Sequence, residues 1–295
     1  MVCILLSTYN GEKYLEEQLQ SLIAQEGVDI HILVRDDGSQ DRTRHILKEW
    51  EDRGLLSWYL GDNVGSTNSF MELMEQAPDA EYYAFCDQDD IWKPAKLATA
   101  VRMLEQIQNP IKLYYSNLFV YRDGQILGSL FKRPLTPNRF NALLEYNSYG
   151  CTFVMSCQLK DKIVKNSQRG VINHDNWTFL SACFLGELIY DHIPQILYRQ
   201  HGGNQVGARN DFKSRVCDVV KGIRHFQQTS IRQKNAKLLL DYYGRLLNPE
   251  DIEIIKTVSE YNHSFKDRLK LLFDRRYRMT HNNLILFLRV LLGGL

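Results

Sequence analysis

No CxxC pair occurs among the six cysteines, which stand apart at Cys3, Cys86, Cys151, Cys157, Cys183 and Cys217. That scatter argues against a zinc-thiolate site and against a disulfide framework. The cysteines read as reduced core residues of a cytoplasmic protein. No apolar run reaches the ~18 residues needed to cross a bilayer. The longest, LILFLRVLLGGL at 284–295, is short and carries Arg289. The first residues, MVCILLSTYN, have no basic lead and no long apolar stretch, so a strand is expected there and not a secretory signal. GxGxxG, and GxxxxGK followed by Ser or Thr, are missing from the strand-to-helix turns, which removes the dinucleotide-dehydrogenase and P-loop classes. Internal repeats and low-complexity linkers are also lacking.

What is present is an ordinary soluble composition, 44% hydrophobic and 24% charged over 295 residues, ample for a large core. A net charge of +1 hides an asymmetry: residues 209–295 hold 17 Lys/Arg against 9 Asp/Glu, so the preceding part is acidic. No nucleic-acid recognition motif accompanies the basic part, and nucleic acid is not an expected partner.

Short β-rich runs alternate with helix-period stretches. VCILL (2–6) precedes YLEEQLQSLIAQ (14–25), where Leu15, Leu19, Leu22 and Ile23 share a face. IHILV (30–34) precedes DRTRHILKEW (41–50), LSWYL (56–60) precedes TNSFMELMEQ (67–76), and YYAFC (82–86) precedes PAKLATAVRMLEQI (94–107), with Pro94 suited to the first helical position. This order predicts an α/β fold with a mostly parallel central sheet covered on both faces, with ligands bound outside the carboxyl ends of the strands. After residue 110, KLYYSNLFVY, QILGSLF and GCTFVMS (150–156) read as further strands of a mixed sheet. HDNWTFLSACFLG (174–186) opens a helix, and the chain from about 211 onward is helical in pattern.

Polar clusters follow the strands where ligands are expected. In FCDQDDIW, Asp87 and Asp89 are alternate residues at a strand end, able to aim two carboxylates at one cleft, and hard oxygens of that kind suit Mg²⁺ or Mn²⁺. Asp90 is expected to cap the following helix. In RDDGSQD, Asp37 is either a turn residue or an acceptor for the N3–H of a pyrimidine base, and Asp41 can cap the next helix. STYNG is a turn in which Tyr9 can pack on a base. Asn63, Gly65 and Asn68 are turn residues, of which Asn68 can reach a nucleoside. Asp175 is either a helix N-cap or a general base, and His201 either a structural imidazole or a metal or diphosphate partner.

The order STYNG, RDDGSQD, DQDDIW, HDNW, YRQH resembles glycosyltransferase family 2. More particularly it is similar to the bacterial rhamnosyltransferase branch that builds cell-wall and capsular polysaccharides. The resemblance covers about residues 1–210 and implies a GT-A fold, with a nucleotide-binding half at 1–110 and an acceptor-binding half at 111–210, followed by a basic helical region at 211–295. It implies an inverting transfer from dTDP-rhamnose, or from a UDP-hexose as the alternative, to a lipid-linked glycan, with Mn²⁺ or Mg²⁺ as cofactor. By position, Asp37 matches the base-binding acid, with Thr8, Tyr9, Asn10, Asp36, Asn68 and Gln88 on the donor side. Asp87 matches the acid facing ribose or metal, Asp89 the metal ligand, and Asp175 the catalytic base. His201 matches a histidine at the metal or diphosphate, and His174, Trp177 and Arg199 lie in the acceptor or diphosphate vicinity. Three departures stand out: STYN where PTYN is usual, His174-Asp175 in place of Glu-Asp, and Asn176 ahead of Trp177. A non-catalytic nucleotide-sugar-binding protein is the competing class. The basic segment FKDRLKLLFDRRYRMTHNNLILFLRVLLGGL (265–295) is expected to pack on the catalytic unit, to form a homodimer contact, or to attach peripherally to the anionic inner leaflet.

Overall fold

The computed structural model describes residues 1–136, 138–145, 148–166, 170–171, 173–201, 231–279 and 283–292. The Gly-rich turn after His201, Cys217 and residues 211–230 of the basic region lie outside the described residues.

The first half alternates as its apolar pattern dictates: β1 (Val2–Thr8), α1 (Leu15–Ile23), β2 (Ile30–Asp36), α2 (Thr43–Asp52), β3 (Ser57–Leu60), α3 (Ser66–Gln76), β4 (Tyr82–Cys86), β5 (Ile91–Trp92) and α4 (Lys96–Glu105). Then come β6 (Lys112–Ser116), β7 (Phe119–Arg122), β8 (Gln125–Ser129), α5 (Arg139–Leu144), a 3₁₀ turn (Gly150–Thr152), β9 (Val154–Ser156), α6 (Cys157–Asn166), α7 (His174–Leu185), β10 (Glu187–Asp191) and β11 (Ile196–Arg199). The C-terminal helices are α8 (Ile231–Tyr243), α9 (Pro249–Glu260), α10 (Phe265–Phe273) and α11 (Asn283–Leu292).

The main sheet has the order β10-β6-β9-β4-β1-β2-β3, parallel except at β9, which runs against both neighbours. A smaller sheet, β5-β11-β7-β8, stands beside it. Alternate residues of each central strand enter different cores. Cys3, Leu5, Tyr83, Phe85 and Tyr115 face α3 and α5 through α11, whereas Val2, Ile4, Leu6, Tyr82, Ala84 and Tyr114 face α1, α2 and α4. Burial on both faces is why these strands read as continuous apolar runs. The C-terminal helices extend the first core through Leu239, Tyr243, Ile255, Leu271, Leu286 and Val290.

Four local expectations are corrected. Of the four residues expected on one face of α1, Leu15, Leu19 and Leu22 are buried and Ile23 is exposed. Pro94 lies in the turn ahead of α4 and not inside it. Only Val154–Ser156 of GCTFVMS is a strand; Gly150–Thr152 coils tightly beside α7. Asp90 does not cap α4, whose N-cap is Ala95. Its Oδ1 accepts instead the N–H of Arg199, which β11 carries in from 109 residues away.

Candidate active site

The carboxyl ends of β1, β2 and β4, together with the N-terminus of α7, enclose a cavity of about 540 Å³. Tyr9, Asp37, Asp87, Gln88, Asp89, His174 and Asp175 of the expected residues line it, alongside Tyr149, Cys151, Tyr198 and Phe70.

The rim is tied loop to loop. Gln88 Oε1 accepts the Tyr9 N–H at 2.9 Å and its Nε2 donates to the Tyr9 carbonyl at 3.0 Å, joining the first and fourth strand ends. Gly11 permits this closeness, since a Cβ there would sit 2.2 Å from Gln88 Oε1. Asp36 and Thr8 are fully buried beneath the rim and outside the cavity lining. Asp36 accepts from Thr8 Oγ1 at 2.9 Å, from the Ser39 N–H at 2.9 Å and from the Ser39 hydroxyl at 2.5 Å, which fixes the turn that presents Asp37. Asn10, at φ +49°, accepts the Gln40 N–H through Oδ1, and Asn68 donates to the Val64 carbonyl; neither lines the cavity.

Asp37 is held by the buried Arg35 guanidinium, and its two oxygens accept the N–H groups of Val64 and Gly65, each at 3.0 Å. Arg35 also pairs with Glu72 and donates to the Asp62 carbonyl. It braces Asp37 from beneath the cavity rim.

At the end of β4, Asp89 Oδ2 lies 2.6 Å from His201 Nε2, while the Asp89 carbonyl accepts from Arg199 Nε. Arg199 stays outside the cavity lining, paired with Glu17 and packed over Tyr14 and Tyr121. Among the described residues, Asp87, Asp90 and Cys151 place ligand atoms within 4.8 Å of one another. Loss of hydration, with the negative charges of Asp89 and Asp175, pushes the Asp87 carboxyl up to about 7. Burial pushes the Asp90 carboxyl and the Cys151 thiol well up too. Lys96, fully buried with its amine 3.4 Å over the Trp92 ring, is pushed down to about 7 by the same lack of water. Asp90, Cys151, Lys96 and Arg35 are the residues that sequence reasoning missed. Asp90 and Cys151 meet partners distant in the chain, whereas Lys96 and Arg35 also meet near neighbours, Trp92 and Asp37.

Asp175 stands in the first turn of α7. The cap is Asn173, whose Oδ1 accepts the N–H groups of Asp175 and Asn176 at 3.1 and 3.3 Å. Asp175 faces the cavity from inside that first turn, its Oδ1 accepting the Asn176 N–H at 2.6 Å and its Oδ2 the Gly150 N–H at 3.3 Å. A Cβ on Gly150 would lie 2.8 Å from Asp175 Cβ. Gly150→Ala therefore displaces the carboxylate, and turnover is expected to fall by about 10² with donor KM little changed, since misplacement of about 1 Å costs that much. Steady-state kinetics of the variant measure this.

Trp177, expected near an acceptor, is instead wholly buried and stacked on Tyr243 of α8 at 5.5 Å. The neighbouring Asn176 Oδ1 accepts from Asn235 Nδ2 at 2.7 Å, so this side of α7 docks α8. His174 stacks on Phe70 at 4.2 Å and meets Phe85 edge-on, and burial holds its imidazole down at about 4. As pH falls, the unfolded chain takes up that proton first. The contribution of neutral His174 to stability is thus complete above about 6.5 and lost as pH falls to about 4, a loss of roughly 3 kcal/mol. Asp87, raised, works in the opposite sense: its contribution is complete below about 3.8 and lost as pH rises to about 7. The readout is accordingly the difference between the native chain and His174→Phe in urea denaturation at pH 7 and pH 5. The native chain should lose about 2 kcal/mol more than the variant.

The model of the family described as "Glycosyl transferase family 2" matches residues 3–158. A dTDP-rhamnosyl transferase of Shigella flexneri, RfbG, is 33% identical over 71% of this chain and 76% of its own length. WfaP of Escherichia coli, a UDP-Glc:alpha-D-GlcNAc-diphosphoundecaprenol beta-1,3-glucosyltransferase, is 26% identical over 83% of this chain and 92% of its own. Among solved structures, S. aureus TarS 1-349 in complex with UDP-GlcNAc superposes with a TM-score of 0.58 over 94% of this chain and 78% of that one, at 16% identity.

Proposed function

The chain belongs to glycosyl transferase family 2 and has the GT-A fold, and from that premise we propose that it transfers rhamnose from dTDP-rhamnose to a growing lipid-linked cell-surface glycan by a single inverting displacement. The observation that carries this reading is the convergence of Asp87, Asp89 and Asp175 on one cavity whose rim holds Asp37 and Tyr9. Tyr9 offers a ring to the nucleobase, and Asp37 an acceptor for its N3–H. Asp175 acts as the general base. It accepts the proton of the acceptor hydroxyl as that oxygen bonds to the anomeric carbon. The bond from that carbon to the diphosphate breaks with its electron pair leaving on the diphosphate, so the anomeric centre inverts and no covalent enzyme intermediate forms.

The residues at the end of β4 fit a divalent cation. Asp89 and His201 already meet, carboxylate oxygens suit Mn²⁺ or Mg²⁺, and Asp87 stands beside them, its carboxyl pushed up by burial first and by the charge of Asp89 second. Asp89 and His201 would hold the ion, with Asp87 facing it or the ribose. When bound, it supplies Lewis-acid stabilisation of the departing diphosphate. A soft thiolate is a poor match for Mn²⁺ or Mg²⁺, which sets Cys151 apart from the ligands named.

Rhamnose is favoured by the identity to RfbG. The likeness to WfaP favours a UDP-hexose as the second reading, because uracil and thymine present the same pairing edge. The test is release of free nucleoside diphosphate from dTDP-rhamnose, UDP-glucose and UDP-galactose, each with Mn²⁺, Mg²⁺ or chelator. Release of dTDP that needs the cation is expected. Release from a UDP-hexose alone moves the donor to the second reading. Binding without release from any donor makes this a nucleotide-sugar-binding protein.

A further inference from the structure

We propose that the outer face of α10 and α11 is a docking surface for an anionic lipid bilayer, on which the protein lies without crossing it. On α10, Phe265, Leu269 and Phe273 recur every four residues and so form one stripe, with Phe265 76% and Phe273 70% exposed. Leu271 anchors the same helix in the core. A surface helix is ordinarily apolar on the core side alone. α11 breaks that rule: Leu286 and Val290 are buried, yet Leu284, Phe287, Leu288 and Leu291 also meet solvent. The two helices pack against each other, so large apolar side chains are gathered on neighbouring elements, a concentration that marks an interaction site.

Charge selects the occupant. Lys266, Arg275 and Arg276 are exposed beside the stripe. Asp267 and Asp274 are the only acids against seven Lys/Arg over residues 265–292, and Asp274 is already paired with Arg276. Two copies of this face would set arginine against arginine. Anionic headgroups would neutralise the same cations while the phenylalanines and leucines enter the acyl boundary. No described helix is long and apolar enough to cross a membrane, which matches an element lying in the interface plane. The proposal rests on the glycosyl-transfer reading only for its purpose, bringing the cavity to a lipid-linked acceptor.

The full chain is sedimented with vesicles of phosphatidylcholine alone and of phosphatidylcholine mixed with phosphatidylglycerol. Binding to the mixed vesicles only, released by high salt, is the expected result. Phe273→Glu combined with Leu288→Glu should lower the bound fraction by about tenfold or more, with native melting temperature and native donor turnover in solution. The proposal is overturned if the native chain ignores the mixed vesicles at low salt, or if the double variant binds them equally well. It is also overturned if the native chain dimerises and the same double variant makes it monomeric, which assigns the face to a second copy. Vesicle binding without nucleotide release supports the docking surface and counts against the glycosyl-transfer reading alone.

Discussion

Asp175→Asn lowers kcat by about 10³ while leaving nucleoside-diphosphate affinity near that of the native chain, since a positioned general base contributes about 10²–10⁴. The substitution is nearly isosteric. The carboxamide oxygen can still accept one of the two N–H groups that the carboxylate holds, those of Gly150 and Asn176, and Asn173 still caps α7, so the helix keeps its place. What disappears is a group able to carry away the proton of the acceptor hydroxyl. Single-turnover transfer and calorimetric dTDP binding separate the two quantities. Near-native transfer by this variant would remove Asp175 from its role.

Asp89→Ala abolishes cation-dependent turnover, an expected loss of at least about 10³, because a Lewis acid on a leaving diphosphate supplies several kcal/mol. The side chain meets His201, whereas the bond from Arg199 goes to the Asp89 backbone carbonyl, so removal of the carboxylate leaves the join between β4 and β11 intact. Manganese titration followed by electron paramagnetic resonance with dTDP present reads the ion directly. Full activity of the native chain in excess chelator would refute the metal assignment, whatever the variant does.

The fold was legible because the central strands are buried on both faces and so announce themselves as apolar runs, and because their polar clusters all emerge at the same sheet edge. That Asp87, Asp89 and Asp175 line one cavity follows from their strand-end and helix-start positions. Local rules failed where a distant partner overrode them. Asp90 sits where a cap is usual, but β11 brings the Arg199 N–H to it. Trp177 follows Asp175 closely in sequence, yet the helical period turns it away from the cavity toward Tyr243. In RDDGSQD the two adjacent carboxylates divide their work by strand alternation: Asp36 points down into the hydroxyls of Thr8 and Ser39, and Asp37 up toward the cavity. Nothing in the spacing marks Cys151 as other than a core cysteine, because the 3₁₀ turn that aims it at Asp90 depends on Gly150 meeting Asp175.

The cavity rim is fastened crosswise, each loop to the next: Tyr9 to Gln88, Asn10 to Ser39, Gly65 to Asp37. Loops tied only to their own strands can breathe one at a time, whereas loops tied to one another open together or stay shut. The Tyr9, Asn10 and Gly65 amides then belong to one cooperative opening unit and exchange their hydrogens with a shared free energy. An arriving donor meets a surface already ordered, and little conformational entropy is left to lose on binding.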